Sequence, residues 1–253
     1  MKKNLFPTLI LSGLLLTSAV CAAPAPRTIP IPAGTAILGA ASAPAEINHP
    51  DSPYFPQIDY YSLTSNEHLT ILTNYPTYQQ TTEETCGPAA ALTMLWYLGD
   101  TSQTEASLAK TMKTRPYPYG TIPKNMFKAF RSLGWQIDSN IETGKTFATY
   151  EEFQAFALQN LKNGLPILVE NVEWGGHWHV IIGYDTMGTP STLDDTLIFA
   201  DPYDTSDHRQ DGYTLHNGER FFYTWFMPQD PQPKQTWIVL HPKKVPVLTL
   251  SNP

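Results

Sequence analysis

The chain has 253 residues, a net charge of −7, 42% apolar residues and only 15% charged ones. That composition excludes a disordered chain, which lacks the apolar surface to fold, and the acidic balance excludes a nucleic-acid partner, which demands a basic stripe. The length suits one two-lobed domain or two small ones, and 23 prolines predict many connections and helices of modest length.

Residues 1–22 have the pattern of a secretory signal. Lys2 and Lys3 precede an apolar run from Leu5 to Leu16, and small residues follow in Ser18-Ala19-Val20-Cys21-Ala22-Ala23. Cleavage is expected after Ala22. The run is shorter than the ~20 residues a membrane helix takes, so an exported protein, periplasmic or secreted and with no integral span after cleavage, is expected. Cleavage removes Cys21 and leaves Cys86 as the single thiol, without a disulfide partner. Residues 23–60 are first rich in Ala and Pro and then irregular, which predicts a flexible or extended leader. The folded domain is placed at 61–245 and a short tail at 246–253. Residues 23–75 precede the thiol, and a pro-segment role, covering a cleft, is considered for them.

His68–Thr73 alternates as a strand does. Cys86–Leu98 (CGPAAALTMLWYL) predicts a helix with Pro88 in its first turn and Gly99 past its end. Further helices are expected at 101–113, at 125–133 before Gly134, and at 150–162. In the last, Phe153, Phe156, Ala157, Leu158 and Leu161 form an apolar face. A short strand is expected at 135–138. The character then switches, with strands predicted at 165–170, 177–184, 196–200 and 235–240 and a short aromatic helix at 219–226. Helices first and strands after argue an α+β fold, with the chemistry in a cleft between the two parts.

Cys86 opens its helix, where free backbone N–H groups and the helix dipole favour an anion and hence a thiolate. Gly87 beside it would let a substrate approach the backbone closely. A thiolate there can attack an acyl carbon, and the resulting oxyanion needs the Cys86 N–H and a second donor. Gln80, six residues upstream, can fold its amide back to supply it, with Gln79 as the competitor. Of seven histidines, His177 follows Gly175-Gly176 and opens an apolar strand, the place for a general base; His179 shares its face. Asp201, in ADPY after the next strand, can orient the imidazole. Trp174 and Trp178 flank His177 and are expected to wall the cleft. No metal or other cofactor is expected: a His177/His179 pair shows no third ligand at helical or turn spacing, and Asp201, Asp204, Asp207 and Asp211 lack a calcium-loop spacing.

Three segments together resemble papain-like cysteine peptidases, closest to the bacteriocin-leader (double-glycine) peptidase branch and its exported relatives. QTTEETCGPAAALTMLWYLGD resembles the nucleophile segment, with five residues between Gln80 and the Cys-Gly pair. GGHWHVIIGYD resembles the His strand, in which the His lies six residues before the Gly of a Gly-Tyr pair; that Gly is Gly183, which selects His177 over His179. LIFADPY resembles the Asp-Pro that closes the triad, at Asp201. The resemblance spans about residues 76–204. It implies a two-lobed fold with a helical lobe carrying the Cys against an antiparallel sheet carrying the His and Asp. It implies Cys86 as nucleophile, His177 as base and then acid, Asp201 as orienting group, and Gln80 with the Cys86 N–H as oxyanion hole, acting on a peptide or related amide without a metal. An acyl or peptidyl transferase of the same fold shares the first half-reaction, and a non-catalytic peptide-binding protein could keep the cleft. Two departures stand out. The leader-peptidase branch is normally a cytosolic domain of a membrane transporter, whereas this chain carries an export signal, so leader removal is not the implied task. His179 stands where an aliphatic residue is usual.

Overall fold

The computed structural model describes residues 26–43, 47–48, 56, 58–207, 209–226 and 235–242. The signal expected at 1–22 and the tail at 246–253 lie outside them. In chain order the elements are β1 (Leu69–Ile71), α1 (Cys86–Tyr97), α2 (Glu105–Thr111), α3 (Pro123–Ser132), β2 (Gln136–Ser139), α4 (Tyr150–Lys162), β3 (Ile167–Asn171), β4 (His177–Asp185), β5 (Thr196–Ala200), β6 (Tyr213–Asn217), α5 (Gly218–Thr224) and β7 (Trp237–His241). Helices dominate the first half and the sheet the second, the α+β arrangement expected. Among the described residues no helix is long and apolar enough to cross a membrane.

The sheet is antiparallel, in the order β2-β7-β3-β4-β5-β6, with β1 also paired to β4. β4 is its spine. It pairs with β3 through Ile181, with β1 from Gly183 on, and with β5 along its other edge. Its first eight residues are all buried, which is why HWHVIIGY shows no in–out alternation. α1 packs on β4 and α2. Its Cys86–Leu95 stretch is wholly buried, as expected of a helix that is apolar all round. α4 starts at Thr149, whose hydroxyl accepts from the Glu152 N–H, and buries Phe153, Ala157 and Leu161.

Two regions depart from the sequence reading. β6 is a strand where none was expected. Its Tyr213 and Thr214 are both buried while Leu215 is 47% exposed, so neither alternation nor an apolar run marks it. The leader is also not free over residues 26–43. The Ile29 N–H donates to the Thr77 carbonyl (2.9 Å) and the Thr77 N–H to the Arg27 carbonyl (3.0 Å). The Leu38 and Gly39 N–H groups both donate to the Thr81 carbonyl, and the Ala41 N–H to that of Gln80. Ile29 and Ala40 are buried. Gly39 runs so close to the Thr82 backbone that a Cβ would come within 2.8 Å of it, which no other residue type tolerates. Backbone pairing thus turns an apparent linker into a strap along residues 77–82.

Candidate active site

The site starts from the N-terminus of α1. Thr85 stands at its N-cap but makes no capping bond; its hydroxyl donates instead to the Thr82 carbonyl (3.0 Å). The first backbone N–H groups of α1 are therefore left without a side-chain cap at the place where Cys86 sits. Cys86 is a free, buried thiol on the wall of a cleft of about 540 Å³.

His177 faces it from the first residue of β4. The turn before it, Glu173–Gly175, is a single 3-10 turn whose Trp174 has a left-handed φ of 53°. Gly175 and Gly176 follow at φ 84° and 141°, conformations that glycine alone adopts freely. The Gly-Gly pair is what lets the chain reverse and enter β4 at His177. His177 Nε2 lies 2.7 Å from Asp201 Oδ1, both side chains buried. Cys86 lines the same cleft and adds to the pull on the His177 imidazole. Burial alone pushes the His177 imidazolium down. The Asp201 carboxylate, by charge and hydrogen bond, and then Cys86 outweigh it and raise His177 to about 10. Burial likewise pushes the Asp201 carboxyl up, but the charge and hydrogen bond of His177 hold it well below the usual carboxylate range.

Asp201 is held on every side. Its Oδ1 also accepts from the Tyr203 N–H (2.8 Å), and its Oδ2 from the Thr214 hydroxyl (3.3 Å). The Gln79 amide donates to the Asp201 carbonyl (3.1 Å) and its oxygen accepts from the Asp204 N–H. Gln79 thus clamps the Asp201 loop and does not line the cleft. Gln80 does line it. Its Nε2 donates to the Thr82 (2.8 Å) and Glu83 (3.0 Å) carbonyls, and its buried Oε1 has no hydrogen-bond partner.

Trp174 and Trp178 both line the cleft, in different ways. Trp174 is 72% exposed and leans on Tyr203, ring centroids 5.5 Å apart. Trp178 is buried behind the wall, its indole N–H donating to the Thr121 carbonyl. Gly87 is not on the cleft wall. A Cβ there would meet Thr121 Cβ at 2.9 Å and Met126 Cε at 3.1 Å, so the missing side chain serves packing of α1 and not substrate approach. None of the described residues before Gln80 lines the cleft, and the strap at 26–43 runs along residues 77–82.

Several lining residues had no signal in the sequence. Arg115, Tyr117 and Tyr119 come from a loop closed by an Arg115–Gly120 bridge, between the helices expected at 101–113 and 125–133. Glu170, at the inner end of β3, looked like any strand residue. Asp204 is buried and turns inward to the Ser206 and Gly212 N–H groups. His179 is fully buried, stacked on Phe199 at 4.1 Å, and burial lowers it to about 4, so its ring is neutral.

Residues 72–227 match the model of the Peptidase_C39 like family. No curated protein matches the sequence. Among solved structures, the peptidase domain of Streptococcus ComA, a bi-functional ABC transporter involved in a quorum sensing pathway, is 19% identical. The match covers 67% of this chain and 99% of that chain, with a TM-score of 0.42.

Proposed function

The chain belongs to the Peptidase_C39 like family, a family of cysteine peptidases, and on that premise we propose that it is an exported hydrolase cleaving a peptide or related amide bond through a thioester on Cys86. The observation that carries this reading is the buried 2.7 Å His177–Asp201 contact, with His177 and Cys86 lining one cleft.

In this reading the resting pair is thiolate and imidazolium. The Cys86 sulfur attacks the carbonyl carbon, and the carbonyl oxygen takes the negative charge beside the Cys86 N–H. Gln80 supplies the second donor by turning one Nε2 proton from the Glu83 carbonyl to the oxyanion. Collapse expels the amine, which takes the His177 proton and leaves the thioester. His177, now neutral, takes a proton from water as that water attacks the thioester. The second collapse releases the acid and restores thiolate and imidazolium. Asp201 keeps the ring oriented and favours its charged form throughout. Trp174 and Trp178 exclude water from one side of the pair. Export rests on residues 1–22 and is tested by the N-terminal sequence of the secreted protein, expected to begin at Ala23.

The test of the site is the rate of Cys86 alkylation by iodoacetamide from pH 4 to 9. An unpaired thiol labels with an apparent pKa of about 8.5, whereas a His-paired thiolate labels already near pH 5. Fast labelling at pH 5 that is lost in His177→Ala is expected. Labelling that rises only above neutrality in the wild type overturns the reading. Product masses then separate the chemistries: a free acid marks hydrolysis, and an amide joined to added amine marks acyl transfer.

A further inference from the structure

Behind the catalytic pair lies a second convergence of side chains that the peptidase reaction does not use. His179, two residues along β4, is fully buried, and neither of its ring nitrogens has a hydrogen-bond partner. Its Nδ1 is 3.9 Å from Asp201 Oδ2, too far for a hydrogen bond. A buried imidazole with both nitrogens unengaged is unusual enough to need an explanation. Facing it is His216 of β6, with ring centroids 5.7 Å apart at 87°. His216 Nδ1 in turn lies 3.6 Å from Glu173 Oε1. Among the described residues, one ligand atom each of Glu173, His179 and His216 lies within 4.8 Å of the other two.

We infer that Glu173, His179 and His216 form a binding site for one divalent transition ion of the zinc class, distinct from the Cys86 thiolate. Two imidazoles and one carboxylate are a zinc ligand set, while calcium and magnesium take oxygen alone. Tetrahedral zinc with bonds of about 2.0–2.2 Å sets its ligand atoms about 3.4 Å apart. The Glu173–His216 edge is already near that spacing, and the trio closes on an ion by moving about an ångström. A surface pocket lined by Glu173, Asp201, Thr214 and His216 opens onto the site, giving an entry path and room for water as a fourth ligand. Ligation through His179 Nε2 would direct its Nδ1–H at Asp201 Oδ2, the carboxylate–histidine–metal arrangement that fixes a ligand's tautomer. Asp201 would then serve two imidazoles, His177 on one oxygen and His179 on the other. His177, His179 and Asp201 also converge, but His177 and Asp201 already satisfy each other, whereas His179 has no partner there.

The experiment is calorimetric titration of the chelator-treated full chain with Zn²⁺, and with Co²⁺ followed by visible absorption. It is run on the wild type and on His216→Ala, Glu173→Gln and Cys86→Ser. The expected result is one ion per chain with tetrahedral Co²⁺ bands. His216→Ala and Glu173→Gln should each weaken binding by more than about tenfold, and Cys86→Ser should bind as the wild type does. Circular dichroism of all three variants, and the Cys86 alkylation rate of the two that keep the thiol, measured without metal, report whether each is folded. Absence of stoichiometric binding in the wild type overturns the inference. So does binding that is lost in Cys86→Ser and kept in both folded Glu173 and His216 variants, because the ion then sits on the thiolate. Neither readout depends on peptidase activity, so the inference can fail while the proposed function stands, and the reverse.

Discussion

On the helical wall of the cleft, Cys86 stands in the first turn of a helix buried from Cys86 to Leu95, and close packing of hydrocarbon holds it. On the sheet wall, His177 and Asp201 are also buried, but charge and hydrogen bonds hold them, His177 on a strand entered through two glycines in left-handed conformations and Asp201 just past the end of β5. The difference teaches that one wall is sensitive to volume and the other to protonation. A change in side-chain size should cost stability on the first, and a change in charge should cost pH range on the second.

Removing the carboxylate tests the sheet wall most severely. Asp201→Ala should lower kcat/KM by about 10⁴-fold. It should also move the alkaline limb of the pH profile. In the wild type the imidazolium is lost as pH rises through about 10. Without Asp201 the burial that already pushes His177 down is opposed by Cys86 alone, so the limb should fall toward the ordinary value of about 6.5. The same raised value makes a stability statement: the His177 contribution is whole below about 6.5 and is lost as pH rises toward 10, while that of the lowered Asp201 is lost in strong acid. An unshifted limb in the variant would erase the proposed contrast between the walls.

The helical wall is tested by Gly87→Ala. The added methyl meets Thr121 Cβ at 2.9 Å and Met126 Cε at 3.1 Å, and such overpacking costs about 1–3 kcal/mol. Thermal or denaturant unfolding should show that loss, while the pH profile of Cys86 alkylation keeps its shape because no charge has changed. The smallest effect belongs to the rim. Trp174→Ala removes a side chain that is 72% exposed, so stability should stay within about 0.5 kcal/mol. KM for a peptide substrate should rise with kcat little altered. A fall in kcat instead would assign Trp174 a part in the reaction step.

What could be read from the sequence follows the same division. Cys86, His177 and Asp201 were legible because each stands at a local punctuation mark: a helix start, a glycine pair before a strand, a strand end before proline; Gln80 was picked out by its spacing from Cys86 alone. α1 and β4 were legible because they are continuously apolar. β6 was not, since Tyr213 and Thr214 on its two faces are both buried while Leu215 is exposed, so its burial does not follow the strand period. The strap at 26–43 left no signature because backbone groups make its contacts, and any sequence can present those. Gly87 was legible as a close approach but not as an approach to Thr121, which lies 34 positions away in the sequence. Glu173, His179 and His216 come together only through the β4–β5–β6 pairing, so no spacing along the chain could announce them.

The placement of β7 has a kinetic consequence. It lies between β2 and β3, pairing Leu240 with Ile137 and Val239 with Ile167. The sheet therefore cannot close until residues about a hundred positions apart have met, and such non-local pairing slows folding. Until then β2 lacks its sheet partner and the wholly buried β3 presents an open edge, a template for pairing with another chain. A fragment cut to the family-matched residues 72–227 would stay in that condition permanently, and aggregation, not merely weaker activity, is the outcome to expect of it.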